Sequence, residues 1–371
     1  MVLAILPLFI TVGLGAPALA VGLVEGIADG SSAAIKVWSG WYSDRIDWRK
    51  SLAAGGYGAT GLGFALLIAV TTWPQVVVAR AFAWVGRGLR QPIRNAMLAG
   101  SVEKKDLGKA FGFHEALDTA GALVGPAVAF SLLAAGQGFR TVFMVAVIPA
   151  VVAFVAFTVV TRDPRRGKER GKPSDFKLPA QFWRLMVPIG IFGAGNFATA
   201  FFTLRVVQML QPELSRPAAT AAAVAFYLAH NAVGTVVAFP AGSLADRVGK
   251  APVLAAAYLT FALACVVGAV GHGFVAVGLL AVLVGAESPV VSSVEGSLSG
   301  SLVDEPRLGT AFGVVNGVNG VGDLASSVLA GVLWMASPAA AMGFGALLTA
   351  VASAILWAWR ARLLPSSAGR T

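Results

Sequence analysis

Gly40 to Lys50 reads GWYSDRIDWRK, and Gly242 to Lys250 reads GSLADRVGK. Each follows a long apolar run, places a glycine four positions before an Asp-Arg pair and closes on a basic residue. Asp44 and Asp246 stand 202 residues apart. A repeat of that length in an apolar chain predicts two homologous membrane-embedded halves.

Composition points the same way. Of 371 residues, 57% are hydrophobic and 12% charged, where a soluble domain carries about 25% charge. The mean hydropathy is +0.77. The 44 glycines suit helices that pack closely in lipid, where small residues let backbones approach. The single cysteine, Cys265, lies in an apolar run and reads as a buried, inert thiol.

A hydrocarbon core of about 30 Å takes about 20 helical residues. By that ruler spans lie near 16–41, 51–73, 75–101, 108–135, 139–161, 180–209, 216–241, 250–271, 273–299, 307–335 and 337–361. Eleven complete spans result, and Met1 to Leu14 is too short to cross unaided. The repeat offset places the counterpart of Trp183 before Met1, so the first helix is expected to be truncated. A signal peptide fits less well, because no basic segment precedes the apolar run. The domain reading is a first bundle over 1–161, a basic linker over 162–178 and a second bundle over 179–371.

Lysine and arginine set the orientation, since positively charged loops stay in the cytoplasm. Arg45, Arg49 and Lys50 share one loop, and Lys104, Lys105 and Lys109 fall two loops later. The linker Arg162 to Lys177, RDPRRGKERGKPSDFK, carries seven basic residues against three acids. Arg247, Lys250, Arg360 and Arg362 continue that side. Both Asp-Arg loops, the linker and the C-terminus are therefore expected in the cytoplasm, with the chain a multi-pass protein of the inner or plasma membrane. The net charge of +10 is spread over these loops rather than gathered in a groove with aromatics, which argues against a nucleic-acid partner.

Ionisable groups inside a span cost on the order of 3 kcal/mol and must face one another or water. Glu25, Asp29 and Lys36 share one helical face, as do Arg80, Arg87 and Arg94, and as do His114 and Asp118. Glu25, Asp29 and Asp118 are the candidate proton-coupling acids, with Arg87 as their counter-charge. Lys36 and Arg94 are placed to snorkel. His114 reads as a packing histidine, since no partner stands at metal-ligand spacing. No metal or cofactor is expected.

The second half keeps the frame and loses charge. Residues 109–129 overlay 310–330 at an offset of 201; Ala110, Phe111, Gly112 and Gly121 recur as Ala311, Phe312, Gly313 and Gly322. Glu115 and Asp118 become Asn316 and Asn319, and Asp29 becomes Asn231. Arg205, His230, Asn231, Glu287, Glu295 and Asp323 are the polar residues left in its spans. Gly56 to Gly61, GYGATG, matches a dinucleotide-binding pattern, but no strand precedes it, so it reads as helix packing. No nucleophile and base stand together, and an enzyme is not expected.

The doubled loop resembles the signature of the major facilitator superfamily: Gly40, Asp44, Arg45, Arg49 and Lys50 after the second helix, Gly242, Asp246, Arg247, Gly249 and Lys250 after the eighth. Val85 to Ala96, VGRGLRQPIRNA, is similar to a helix 4 signature of a prokaryotic branch. Gly121, Gly125 and Pro126 resemble the core of the helix 5 packing motif found in antiporters. The resemblance implies an all-α membrane protein of twelve helices in two six-helix bundles, with a cavity opening alternately to each side. It also implies that Asp44 pairs with basic residues and a helix N-terminus to lock the cytoplasmic side, with Arg94 as a suitable partner. Asp47, Trp48 and Asn95 depart from the family pattern. The expected function is secondary active transport of a small organic solute or drug, coupled to protons and running as export, by a monomer in the bilayer. The alternatives are a proton-coupled importer and a non-transporting membrane protein.

Overall fold

A computed structural model describes residues 1–161 and 178–363, so most of the basic linker lies outside the described residues. Within them every regular element is helical. The chain begins with α1 (Val2–Leu8), which runs into a π-helical turn at Phe9–Gly13. Then come α2 (Ala18–Ser43), α3 (Arg49–Ala69), α4 (Trp73–Ser101), α5 (Leu107–Ala134) and α6 (Phe139–Val160). The second half starts with α7 (Ala180–Gly195) and α8 (Ala200–Leu210), two pieces of one interrupted traverse, followed by α9 (Arg216–Val248), α10 (Lys250–Val270) and α11 (Gly273–Ser301). It ends with α12 (Leu308–Ala336) and α13 (Pro338–Trp359). Each of the eleven spans expected from the sequence has its helix, and α1 stands where the short first segment was expected.

Nine helices among the described residues are long and apolar enough to cross a membrane. The two long helices outside that set, α2 and α4, carry Glu25, Asp29 and Lys36 on the one and Arg80, Arg87, Arg90 and Arg94 on the other. They are long enough, at 26 and 29 residues; their charges are what lower their hydropathy. Large apolar side chains such as Val160, Val236, Val275 and Met335 are exposed, as lipid-facing groups are. The chain is a multi-pass membrane protein.

Two compact units divide the described residues. The first contains Met1–Ser101, 121–161 and Glu305–Gly317; the second contains Val102–Ala120, 178–304 and 318–363. In the first, Ile5, Leu6, Phe9 and Ile10 bury themselves with Leu67, Val76 and Phe143. Gly56 of α3 and Gly86 of α4 lie so close that a Cβ on either would come within 2.6 Å of the other's carbonyl oxygen. The Gly56 to Gly61 pattern is thus a packing surface, as the sequence indicated. In the second unit an aromatic core forms where Phe192 stacks on Tyr258, ring centroids 3.8 Å apart, and Phe197, Phe202 and Phe261 meet at 5.5 to 5.6 Å.

The repeated loops perform the same task in each unit. In the first, Asp44 is wholly buried at the C-terminus of α2. Its carboxylate accepts the backbone amides of Gly309 (3.0 Å) and Thr310 (2.6 Å) and the Thr310 hydroxyl (2.7 Å), so it caps the N-terminus of α12. Arg49 supplies the positive charge at 3.0 Å. In the second, Asp246 accepts the amides of Gly108 (2.9 Å) and Lys109 (2.8 Å) at the start of α5, with Lys250 at 3.2 Å. A helix N-terminus offers unpaired N–H groups and a partial positive charge, which a carboxylate answers on both counts. Burial pushes the Asp44 carboxyl up from its ordinary value, while Thr310, Arg49 and Gly309 pull it back.

Glycines make both approaches possible. A Cβ on Gly40 would collide with the Gly309 carbonyl oxygen and the Gly313 Cα, and one on Gly242 with the Gly108 carbonyl oxygen and the Gly112 Cα. The two turns then differ. α2 and α3 are separated by five residues, whereas Gly249 alone joins α9 to α10, at a φ of 108° that favours glycine.

Gly40→Leu and Gly242→Leu are expected to lower thermal stability in detergent by the equivalent of about 1–3 kcal/mol, since backbone cannot yield as a side chain can. Gly26→Ala, which meets nothing within 4 Å, should leave the midpoint unchanged or raise it by up to about 1 kcal/mol. Asp246→Ala removes a cap and should cost about 1 kcal/mol. A wild-type unfolding midpoint in both leucine variants would show that the close contacts do not hold these helices.

Candidate functional site

The charged face of the first unit is built by α2 and α4. Arg80 Nη2 lies 2.8 Å from Glu25 Oε2, and Trp84 Nε1 donates to Asp29 Oδ1 at 2.6 Å. Both pairs are 55 residues apart. A constant offset means that the two helices run parallel in register, so each turn of one meets one turn of the other. Arg80 is completely buried, its guanidinium carbon 3.3 Å from the centre of the Trp84 ring. That stacking lets a cation sit in an apolar wall with one carboxylate and one aromatic face as its partners.

Arg87 is the counter-charge expected from the sequence, and here Glu25 is held by Arg80 instead. The register is the reason. The constant offset sets Arg80 opposite Glu25 and Gly88 against the backbone at Ser32. Arg87 is exposed, its guanidinium 5.3 Å from the Trp84 ring centre. Trp84 is not among the sequence candidates because an indole in an apolar helix reads as packing. Its signal is the four-residue step from Arg80, matching the step from Glu25 to Asp29. Further along α4, Arg90 lies 4.3 Å from the centre of the Tyr57 ring, and Gln91 Nε2 donates to Asn316 Oδ1 at 3.1 Å.

In the second unit His114 Nε2 and Asp118 Oδ2 lie 3.5 Å apart on one face of α5, as their spacing indicated, with the aspartate more than half exposed. Asp118 therefore falls in a different compact unit from Glu25 and Asp29. Farther along α5, a Cβ on Gly121 would meet nothing within 4 Å, whereas one on Gly125 would come within 2.7 Å of the Met1 nitrogen. Pro126 is accommodated inside the helix.

A second polar group, outside the candidate coupling residues of the sequence, lies on α11. Glu287 and Glu295 are each 3% exposed. Glu287 Oε1 accepts from Asn196 Nδ2 at 3.2 Å; Glu295 accepts from Asn319 Nδ2 at 2.5 Å and from the Tyr258 hydroxyl at 3.4 Å. The sequence signal is two acids within the apolar run 280–298, and it is weak because no basic stripe accompanies them. Arg205, the cation of α8, is turned to the carbonyls of Gly268 (2.7 Å) and Ala269 (3.4 Å). Among the described residues no three His, Cys, Asp or Glu side chains gather as a metal site.

Residues 1–237 match the sequence profile of the Major Facilitator Superfamily. An uncharacterised MFS-type transporter of Methanocaldococcus jannaschii is 28% identical over 373 residues, covering 96% of this chain and 89% of the relative. Among solved structures, a bacterial homologue of the iron transporter ferroportin in an outward-facing state superposes with a TM-score of 0.75 at 15% identity, over 96% of this chain and 94% of the other. The fucose:proton symporter of E. coli gives a TM-score of 0.71 at 16% identity, over 91% and 90%. At those identities the structural likeness speaks for the fold. The family match, the doubled Asp-Arg loop and the helix order agree, and the chain belongs to the Major Facilitator Superfamily.

Proposed function

We propose that this transporter exports a small organic solute across the plasma or inner membrane in exchange for protons, by alternating access. The observation that carries the reading is the Glu25–Arg80 pair, with Asp29 one turn along, inside helices that must lie in lipid. A pair of this kind can switch between two arrangements. With Glu25 ionised, it neutralises Arg80; with Glu25 protonated, Arg80 is released to seek another anion or water. Binding a proton therefore changes the contacts between α2 and α4, which is what coupling requires. Asp29 and Asp118 are the further acids of this reading, with Arg87 on α4 and His114 beside Asp118 on α5 as its polar groups.

The two caps supply the gate. Each joins the loop of one sequence repeat to a helix of the other, so separating the repeats on that side breaks both. Each rupture exposes two backbone amides and a carboxylate, which water can then solvate. That makes closure reversible rather than permanent. The gate side is taken as cytoplasmic on the distribution of lysine and arginine, with the C-terminus on the same side. Export is preferred over import on the likeness of Gly121, Gly125 and Pro126 to the helix 5 motif of antiporters.

Growth of a deletion strain and an overexpressing strain across a panel of toxic compounds gives direction and substrate class together. Resistance should rise with expression; sensitivity that rises with expression would mean import. In vesicles loaded with a pH-sensitive dye, Glu25→Gln and Asp118→Asn should each reduce solute-driven proton movement at least tenfold while solute binding persists. Unchanged coupling in both would remove these acids from the mechanism. Asp44→Ala should slow transport severalfold, and a wild-type rate would leave Asp44 a marker of topology alone.

A further inference from the structure

From the burial and bonding of α11 we infer that Glu287 and Glu295 form a proton-binding site in the second half of the transporter, separate from the Glu25–Arg80 pair. The inference rests on proton coupling for its role in transport, but the binding itself is a property of the folded chain and stands on geometry.

Both side chains are 3% exposed, and among the described residues their hydrogen-bond partners are neutral: the amides of Asn196 and Asn319 and the phenol of Tyr258. The groups facing them from the packed helices do not supply a cation. From α10 come Tyr258 and Cys265, and from α12 Asn319 and the acid Asp323. On α9 the His230 ring is engaged with the Phe226 carbonyl and the Asn231 amide. On α8, Arg205 is committed to two carbonyls near the end of α10. An ionised carboxylate shut away from water without a cation is far costlier than a neutral acid. The cheaper state is the one in which each glutamate carries a proton on a carboxyl oxygen.

The contrast with the first half is chemical. Glu25 faces a buried guanidinium, whereas the partners of Glu287 and Glu295 are neutral, and neutral donors such as an amide tolerate either state of the acid they bond. Asn196 is also where the α7–α8 traverse breaks. Its side chain holds Glu287 while its carbonyl accepts the Ser326 hydroxyl of α12 at 2.8 Å. An interrupted membrane helix brings unwound backbone to a polar site at membrane depth. Pro289, inside α11, withholds the amide that would otherwise bond the Gly285 carbonyl, so this stretch can bend. The break at Asn196 and Pro289 of α11 both lie beside Glu287, so a shift of these helices would give it a route to water. The proton taken up as O–H on the carboxylate is returned to water by the same route, with nothing oxidised or reduced.

Infrared spectra of the full-length protein in lipid vesicles, with no solute present, test this. At neutral pH the wild type should show a protonated-carboxyl band. Glu287→Gln and Glu295→Gln should each remove about half of it, and Glu25→Gln none. Absence of the band, or its survival in the double glutamine variant, would overturn the inference. Should a glutamine variant fail to fold, Tyr258→Phe serves in its place: a shift of the band without loss supports Glu295 as its source, and an unmoved band counts against it. If the band behaves as expected while dye-loaded vesicles show no coupling, the transport reading has failed and the proton site has not. Coupling without the band overturns the proton site and leaves the transport reading standing.

Discussion

The structure depends on a carboxylate meeting the bare end of a helix that belongs to the other repeat. Asp44 answers the first amides of α12, and Asp246 those of α5. A helix N-terminus left open at the membrane boundary would have unpaired N–H groups that only water or an acid can satisfy. The acid here is lent by a loop 202 residues away from its counterpart, and the exchange is mutual. Glycines at 40, 108, 242 and 309 follow from it, since a carboxylate reaches the amides only if the backbones come close enough to exclude a Cβ. The register of α2 against α12, and of α9 against α5, is then set at these contacts.

Given that frame, the two halves solve the problem of intramembrane charge differently. The first half keeps charged groups and sets donors of α4, the Arg80 guanidinium and the Trp84 indole, against acids of α2 on successive turns, because the two helices run parallel at a constant offset. Arg80 is thereby fully buried and still paired. The second half has shed most of its ions. Asn316 and Asn319 stand where the first half has Glu115 and Asp118, and Asn231 where it has Asp29. Amides cost less to bury than ions and can both donate and accept, so they serve as partners for the acids that remain. Asn319 does this for Glu295. The replacement of acids by asparagines is thus part of how two glutamates come to be held without a cation.

Much of this is legible in the residues. The spans can be measured with a ruler, because a hydrocarbon slab demands some twenty apolar residues and the chain supplies them between charged loops. The caps are visible as a repeat, and their roles follow from family likeness together with the affinity of carboxylates for helix N-termini. What cannot be read is the pairing between helices. Helical periodicity places Arg80, Arg87 and Arg94 on one face without saying which turn meets Glu25, since that depends on the stagger of α2 against α4. The stagger is set by Gly88 and Ser32 and by the loops at either end. The break at Asn196 is hidden for a related reason: no proline or charge interrupts FGAGNFATAFF. The bonds of Asn196 to Glu287 and of Ser326 to its carbonyl are what meet the groups that the broken helix leaves open.

The same reasoning bears on why a chain would retain Glu287 and Glu295 at all. Substituting a buried polar group with an apolar one of similar volume is often neutral or stabilising when its partners go with it. Here the partners come from separate places: the α7–α8 break, α10 and α12. Removing Glu287 strands the Asn196 amide and removing Glu295 strands donors on α10 and α12, whereas keeping both ties those elements to α11 through bonds whose strength changes with a proton. In having neutral hydrogen-bond partners the two glutamates differ from Glu25, whose partner Arg80 carries a charge. Holding Glu287 against a neutral donor at the helix break, two residues from Pro289 of its own helix, suits a carboxyl whose protonation changes.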